Sequence, residues 1–498
     1  MTETASPITP PSPSDDEDAR LASFGYTQKL DRSVGRLASF AIGFATISAT
    51  TAVFTGFGAG YFTAGGPFVW TLLLAAAVFV VWVVIAADLT AKIPLAGYAY
   101  QWTSRIHGST LALFTGVMGL AGWVCGMTGV GFILSGYLGS LFDWNMSQTA
   151  QILVAIGVMA VCTLVNLYGV RFATMVNNIG VSLELVVTVA ATILVAVVAL
   201  SAPDKHQPLS VLFTGGTSDA GTPYLLAWLA ASLGPFFGLI GVEASADVAE
   251  ETLNARHVIP RTMFYALATS IVIEFGMYVV YVLAIRNPDA VANASAAPIE
   301  EIINQQVGPV ITKIVVAVAL TNVMACILAN ILVATRLTYS MARDNMLPFS
   351  HVWRHVSPTN RTPTFAVIGL FVLSTMLLLS ALVSEKAFNL IIGLSSLAVF
   401  ATYVLQTVAL LIGRRRGTIP AAEPGTFDLG RTRLPIYVLG LVCFTLVCIA
   451  LIFLPQFAGN GYVFAGLVAL TALWAVTGLR RRLASGEAGP DFAKTHLS

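Results

Sequence analysis

The chain has 498 residues, of which 56% are hydrophobic and only 10% are charged. Soluble globular domains carry about 25% charged residues, so this composition excludes a soluble multidomain protein. The formal net charge of +1 also excludes the extensive basic surface that nucleic-acid binding requires, and no nucleic-acid partner is expected.

Long uninterrupted apolar runs predict an all-α protein that crosses a lipid bilayer many times, because about 20 apolar residues span the hydrocarbon core. Residues 1–36 and 480–498 are predicted to be terminal tails, and the acidic, Pro- and Ser-rich stretch 1–20 to be disordered. Twelve transmembrane helices are predicted, at 37–60, 67–90, 109–140, 149–169, 174–200, 224–248, 262–285, 309–338, 364–383, 386–412, 433–455 and 461–479.

The positions of the basic residues give this map an orientation. With both termini in the cytoplasm, only Lys205, Arg286, Lys313 and Lys386 of the 26 Lys and Arg residues fall outside or at the outer border. That distribution is what the positive-inside rule expects. The sequence therefore predicts a multi-pass protein of the cell (cytoplasmic) membrane with both termini cytoplasmic and residues 201–223 and 286–308 outside.

Two of the predicted helices carry unusual residues at membrane depth. Helix 1 contains the hydroxyl-rich stretch 48–56, and helix 6 contains a Gly- and Pro-rich stretch over 234–241. Because proline removes a backbone donor and glycine weakens a helix, interruptions are predicted at Thr50–Gly56 and Gly234–Gly241. Interrupted helices in corresponding halves indicate the binding site of an inverted-repeat transporter, whereas the alternative is close helix packing. The residues assigned to the breaks are Gly56, Gly234, Pro235 and Gly241.

Polar and aromatic residues near these interruptions are predicted to bind a small solute. Backbone N–H groups and hydroxyls at a helix start bind an anionic group, and aromatic faces attract an ammonium group with about 0.5–2 kcal/mol. Phe236 and Phe237 are interpreted either as gating or lining the site or as packing residues, and Trp228 as packing. The predicted solute-binding residues are Ser48, Thr50, Thr51, Trp123, Phe236, Phe237, Gly238 and Glu243.

Acidic residues within the predicted helices are the next candidates, because an Asp at the bilayer centre costs about 2.5–3.5 kcal/mol and such residues usually serve a function. Glu184 is predicted either to couple transport to protons or to be the counter-ion of an amine. Asp88 is expected to pair with Lys92 or a loop arginine, and Glu274 is interpreted as facing a neighbouring helix. A cytoplasmic gate is predicted from Glu250, Glu251 and arginine partners, with Arg261 assigned to it.

Several of these residues lie in motifs that resemble a known superfamily. The stretch 241–255, GVEASADVAEETLNA, followed by Ile259-Pro260-Arg261, resembles the end of helix 6 in the amino acid–polyamine–organocation (APC) superfamily. Within it, the match is closest to the amino acid/choline transporter branch. Further similar motifs follow the family order: Phe24–Arg36, Ser48–Thr51 with Gly65–Pro67, Asp88 with Pro94, Gly97 and Tyr98, and Arg343–Pro348.

The resemblance implies a LeuT-like 5+5 inverted repeat, with repeats over 37–200 and 224–412 and two extra helices over 433–479. It also implies that small nitrogenous solutes bind between helices 1, 3, 6 and 8. Ala52 stands where many relatives have glycine, and Asp247 where several have histidine. Some relatives have a lysine near the position of Glu184 as a stand-in for sodium, so an acid here is a departure.

Function is predicted from this resemblance and from the absence of catalytic motifs. The sequence contains no nucleotide-binding or hydrolase motif and no Cys-x-x-Cys pair, so neither an enzyme, a cofactor nor a metal is expected. The leading hypothesis is a secondary carrier of amino acids or related amines, driven by protons or by exchange, acting as a monomer or homodimer. Alternatives are an organic-cation, choline or polyamine carrier, a channel, and a membrane-embedded enzyme or sensor; a channel needs a continuous polar ring.

Overall fold

The computed structural model describes residues 13–214, 216, 223–294, 298–454, 457–490 and 492. Within these ranges the ordered elements are helices, and the one extended pairing is an isolated parallel bridge between Val34 and Thr252. The protein is therefore all-helical over the part of the chain that the structure covers, as predicted.

The α-helices are numbered in chain order. They are α1 Pro13–Ser23, α2 Arg36–Ile47, α3 Ala49–Ala64, α4 Thr71–Lys92, α5 Tyr98–Ile106, α6 Ser109–Leu141, α7 Gln148–Leu167, α8 Val170–Leu183, α9 Val189–Ala199, α10 Tyr224–Ala231, α11 Leu233–Gly238, α12 Ala244–Asp247, α13 Ala255–Leu283, α14 Pro288–Asn293, α15 Pro298–Val307, α16 Pro309–Arg343, α17 Ser350–Trp353, α18 Thr364–Val383, α19 Glu385–Arg416, α20 Arg433–Phe453, α21 Asn460–Trp474 and α22 Arg480–Ala484. A π-helical turn, Glu184–Thr188, joins α8 to α9.

Eleven helical segments among the described residues are long and apolar enough to cross a membrane. A twelfth apolar segment, Tyr224–Gly238, is shorter. The predicted sixth helix, 224–248, is therefore wrong in its extent, because regular helix ends at Gly238. Gly241 has φ +106°, a backbone conformation that an α-helix cannot contain and that glycine adopts without steric cost.

The helices divide into an inner and an outer group. In the most apolar part of segment Arg36–Ala64, 83% of the residues are buried within the protein, against 11% for Asn460–Ala484. Large apolar side chains such as Val383 and Tyr462 are exposed on the outer helices. A lipid-facing surface accounts for this apolar exterior, whereas α2, α3 and α16 carry many of the buried polar residues.

The N-terminal region differs from its prediction. Residues 13–20 were expected to be disordered, but they form most of α1; residues 1–12 lie outside the described part. Contacts with distant loops order this helix. Arg20 lies 3.1 Å from Glu423, and the backbone N–H of Asn254 donates to Glu17 at 2.6 Å, so acidic residues that predict disorder in isolation have partners here.

Candidate functional site

The first candidate feature is the interruption between α2 and α3. Ser48 joins the two helices with φ 45° and ψ 90°, and its Oγ accepts a hydrogen bond from the N–H of Thr51 at 3.2 Å. This side chain therefore caps α3. The predicted interruption at Thr50–Gly56 is wrong in position, since those residues form the first turns of α3 and the break is at Ser48.

Gly56 and Gly234 were assigned to helix breaks, but the structure gives them another role. A Cβ atom on Gly234 would lie 3.1 Å from the carbonyl oxygen of Gly56. The two glycines allow α3 and α11 to approach closely, which is the usual function of small residues at transmembrane helix contacts. Pro235 lies inside α11, so it does not form the main break either.

The second interruption follows α11. The chain leaves the helix after Gly238, turns through Leu239–Glu243, and forms the short helix α12 and a 3₁₀ turn, Ala249–Glu251, before α13 begins at Ala255. At Gly241 a Cβ would lie 2.4 Å from Cγ2 of Thr46 in α2. The absence of a side chain at Gly241 thus permits both the positive φ and the contact between the two interrupted segments.

Glu184 connects the first interruption to the neighbouring helix. Its side chain is 1% exposed, and it begins the π-helical turn between α8 and α9. Its Oε1 accepts from the N–H of Thr50 at 2.9 Å and from Oγ of Ser48 at 3.3 Å. A carboxylate at a helix N-terminus is favoured by the unpaired N–H groups and the helix dipole, and π-helical turns are common at functional sites.

A small cavity lies where the two interruptions meet. Its volume of about 30 Å³ can hold water but is far below the roughly 300 Å³ or more of typical ligand pockets, so the helices must separate to admit a solute. The cavity is lined by Thr46, Ile47, Thr51, Ala52, Gly122, Trp123, Gly126, Val130, Phe237, Gly238, Ile240, Cys326, Asn330 and Ser395.

Four predicted solute-binding residues line this cavity: Thr51, Trp123, Phe237 and Gly238. The other four do not. Ser48 and Thr50 contact Glu184 instead. The ring of Phe236 packs against those of Phe79 and Phe400, with centroids 6.4 and 5.7 Å apart. This contact places Phe236 in an aromatic cluster between α4 and α19.

Glu243, the last of the predicted set, is fully buried beside the same cluster. Its Oε1 accepts a hydrogen bond of 2.7 Å from the hydroxyl of Tyr403, and the Tyr403 ring stacks on Trp82 at 3.8 Å. Its other oxygen, and both carboxyl oxygens of Asp247, have no hydrogen-bond partner among the residues the structure covers. Two acids one helical turn apart thus lie next to each other without a basic partner.

Glu274 on α13 also lacks a partner. It is 0% exposed, and neither carboxyl oxygen forms a hydrogen bond within the described ranges. Its Oε2 lies 3.4 Å from the position that a Cβ on Gly238 would occupy. Glu274 therefore does more than face a neighbouring helix, as was expected. Its carboxyl group reaches the break in helix 6 and the edge of the cavity.

Buried ion pairs close one end of this region. Glu250 binds Arg343 through two hydrogen bonds of 2.9 and 2.8 Å, and Glu251 binds Arg336 through two of 2.8 and 2.7 Å. We call these four residues the ion-pair layer. Arg261, which was assigned to the same gate, is exposed and forms no ion pair in the described part of the chain, so that assignment is wrong.

The N-terminal segment packs directly against the ion-pair layer. The N–H of Val34 donates to the carbonyl of Glu251 at 2.8 Å, and the N–H of Leu253 donates to the carbonyl of Val34 at 2.9 Å. The guanidinium of Arg343 lies 3.5 Å from the centroid of the Tyr26 ring. These contacts join the segment before α2 to the segment after α12, so the two cannot separate without breaking them.

Asp88 pairs with Lys92, as expected. The Lys92 ammonium lies 2.5 Å from Asp88 and 2.9 Å from Asp428, and the N–H of Leu429 donates to Asp88 at 2.9 Å. This acid therefore joins α4 to the loop before α20. Because Asp88 pairs with Lys92 and with the backbone of Leu429 inside the protein, we assign it a structural role.

Comparison with known proteins identifies the family. A model of the amino acid permease family matches residues 34–474. The chain belongs to the amino acid permease family, within the APC superfamily. It is accordingly a transporter and not an enzyme.

Distant relatives of this permease span most of its length. It is 23% identical to a putative polyamine transporter of Candida albicans, over 94% of this chain and 88% of the relative. It is 26% identical to an amino-acid permease BAT1 homolog of Oryza sativa subsp. japonica, over 83% of each chain. It is 26% identical to the branched-chain amino acid permease BcaP of Lactococcus lactis, over 71% of this chain and 78% of the relative.

Sequence reasoning missed several residues that the permease brings to this region. Arg336 and Arg343 lie two helical turns apart near the end of α16 and so share one face, a signal that could have identified them as gate partners. Tyr403 could not have been found, because nothing in an apolar helix indicates which residue its single hydroxyl will contact. Cys326 and Ser395 were likewise not identified as cavity-lining residues.

We expect the ion-pair layer to be a major source of stability. Replacing Arg336→Met leaves Glu251 buried without its charge partner, which costs about 3–5 kcal/mol. The double variant Arg336→Met/Glu251→Leu should recover much of that loss, because it removes both charges. Denaturant unfolding of the purified permease in detergent measures both. The matched control, Arg261→Met, concerns an exposed arginine and should change stability by less than about 0.5 kcal/mol; an equal loss in the control would contradict this assignment.

Proposed function

We propose that this permease is a secondary active carrier that moves amino acids or related amines across the cell membrane by alternating access. The observation that carries the proposal is the meeting of two interrupted helices, at Ser48 and at Leu239–Glu243, around one small cavity. Irregular backbone at membrane depth is tolerated where it is buried in protein or lines a cavity, and transporters use such half-helix ends to bind solutes and coupling ions.

The proposed architecture has twelve transmembrane helices in two inverted repeats of five, with two further helices. Tyr224–Gly238, too short to cross alone, together with residues 239–254 completes the sixth crossing. The two interruptions then occupy the first helix of each repeat, 37–200 and 224–412. The short sixth helix and the position of its break support this assignment, since interrupted segments in corresponding positions characterise such repeats.

We further propose that the ion-pair layer is the cytoplasmic gate and that both termini are cytoplasmic. Basic residues are concentrated on the side of the ion-pair layer, as the positive-inside rule requires. Alternating access then requires the pairs of Glu250 with Arg343 and Glu251 with Arg336 to separate as the inner side opens. The N-terminal contacts at Val34 must be released in the same step.

Labelling tests this orientation. A cysteine introduced at Ala294, between α14 and α15, should react with a membrane-impermeant thiol reagent in intact cells. The matched variant Gly425→Cys, in the loop before α20, should react only after the membrane is permeabilised. The reverse pattern would overturn the orientation. Ser218, in the predicted outer region 201–223, lies outside the described residues.

The coupling ion is proposed to be the proton, with solute exchange as the alternative mode and Glu184 as the residue that takes part. Glu184 holds the N–H of Thr50 and the hydroxyl of Ser48, so a change in its charge acts directly on the break in helix 1. No basic side chain pairs with it in the covered part of the structure. Protonation of Glu184 would therefore weaken the hydrogen bonds that stabilise the break at Ser48.

Counterflow in proteoliposomes tests the carrier function. Vesicles loaded with unlabelled amino acid or amine should accumulate external labelled solute transiently above equilibrium, because a carrier exchanges one solute for another. A channel would only equilibrate the label. Saturable counterflow therefore supports the carrier, whereas equilibration without overshoot for every amino acid and amine tested would overturn it.

The variant Glu184→Gln adds a second arm to the same experiment. Glutamine keeps a hydrogen-bond acceptor for Thr50 but fixes a neutral side chain. Uphill accumulation driven by a proton gradient should be lost, while counterflow should persist. Unchanged proton-driven accumulation, or a strict requirement for sodium in the native protein, would remove Glu184 from coupling. The exposed acid Glu487, changed to glutamine, is the matched control and should leave both activities unchanged.

A further inference from the structure

The N-terminus of α3 is already occupied by a carboxylate of the protein itself. Glu184 accepts from Thr50 N–H at 2.9 Å, the Ser48 side chain accepts from Thr51 N–H at 3.2 Å, and the Ser48 carbonyl accepts from Ala52 N–H at 2.9 Å. These three donors are therefore satisfied. A carboxylate on an incoming solute would have to displace these acceptors and approach the negative charge of Glu184.

The cavity offers no basic partner for a solute carboxylate. None of its lining residues, as far as the structure describes them, is Lys, Arg or His. Two of them are aromatic, Trp123 and Phe237. Aromatic faces attract cations by about 0.5–2 kcal/mol, so the faces of these two rings can attract a positive group on the solute.

Glu274 supplies the opposite charge at the edge of the same cavity. It is fully buried, both of its carboxyl oxygens lack partners in the described ranges, and its Oε2 reaches the side of Gly238, a cavity-lining residue. In contrast, the buried acids Asp88, Glu250 and Glu251 each have a basic partner. An ionised carboxylate without a partner is costly inside a membrane, and a bound cation would offset that cost.

We propose that the solute of this permease is a cationic amine without an α-carboxylate, and that Glu274 binds its ammonium group beside Gly238. This inference rests on the carrier function proposed above and specifies the class of its substrate. Glu274 is then a specificity-determining residue. Glu184 contributes by keeping the start of α3 unavailable to a second carboxylate.

Matched pairs of compounds that differ only in the α-carboxylate test the proposal. Cadaverine is compared with lysine, phenethylamine with phenylalanine, and isoamylamine with leucine. The measurements are thermal stabilisation of the purified permease and counterflow in proteoliposomes. In at least one pair the amine should bind and exchange at least tenfold better than its amino acid.

Three variants assign the effect to residues. Glu274→Gln preserves size and should weaken binding of the preferred amine by about 10- to 100-fold, as loss of a buried charge partner does. Glu184→Ala frees the N–H of Thr50. It should therefore reduce the difference in binding affinity between the amine and its amino acid. Glu487→Gln, a change of an exposed acid, should alter neither. Elution of each variant as a single species in size-exclusion chromatography shows that it is folded.

The outcomes separate this inference from the carrier function. Stronger binding and counterflow of the amino acid in every pair would overturn the inference and leave the carrier intact. Unchanged amine affinity in folded Glu274→Gln would also overturn it. If neither these six compounds nor any other amino acid or amine shows saturable counterflow, the carrier function and the inference are overturned together.

Discussion

Every backbone N–H and C=O group within the bilayer must find a partner inside the protein, because the hydrocarbon offers none. The structure satisfies this requirement in a particular way at the break of helix 1. Ser48 leaves helical geometry, and the N–H groups that this frees are taken by its own side chain and by Glu184 from the neighbouring helix. The break is thus held by an acid on a separate element, and its stability depends on that acid.

Six of the buried acidic side chains fall into two groups. Asp88, Glu250 and Glu251 pair with basic residues and tie loops or helix ends together. Glu243, Asp247 and Glu274 lie nearer the two interruptions and have no basic partner in the described structure. Removing one member of a buried pair is costly, and an unpaired buried acid is costly from the start. Binding of a proton or a cationic solute to one of these three unpaired acids therefore offsets the free-energy cost of its buried charge.

The ion-pair layer and the N-terminal segment relate this central region to the end of the bundle. Val34 donates its N–H to the carbonyl of Glu251 and accepts at its own carbonyl from the N–H of Leu253, so the segments before α2 and after α12 share a short strand-like contact. A movement at either interruption is resisted at that contact and at the pairs formed by Arg336 and Arg343. One end of the cavity is consequently closed by a small number of strong interactions. Such a set can break and form again together, as a gate requires.

Hydropathy predicted most of the fold because span length is set by the bilayer and needs no knowledge of tertiary contacts. It failed for helix 6 and for residues 13–20, where a positive φ at Gly241 and distant partners of Arg20 decide the structure. The site was predicted only by region. Gly56 and Gly234 are residue types typical of a helix break, but they form a close helix contact. The break is at Ser48, where Glu184, far away in sequence, binds the N–H of Thr50. Such long-range pairing has no local signal.

Protection of Cys326 tests most directly the claim that the solute binds where the interrupted helices meet. Cys326 lines the cavity, and a variant with Cys125, Cys162, Cys443 and Cys448 changed to alanine retains it as the single thiol. Once counterflow shows that this variant transports, its reaction with 2-aminoethyl methanethiosulfonate is followed with and without saturating solute. The account predicts that the transported solute slows this reaction at least several-fold. An unchanged rate, or no reaction at all in a transporting variant, would contradict it.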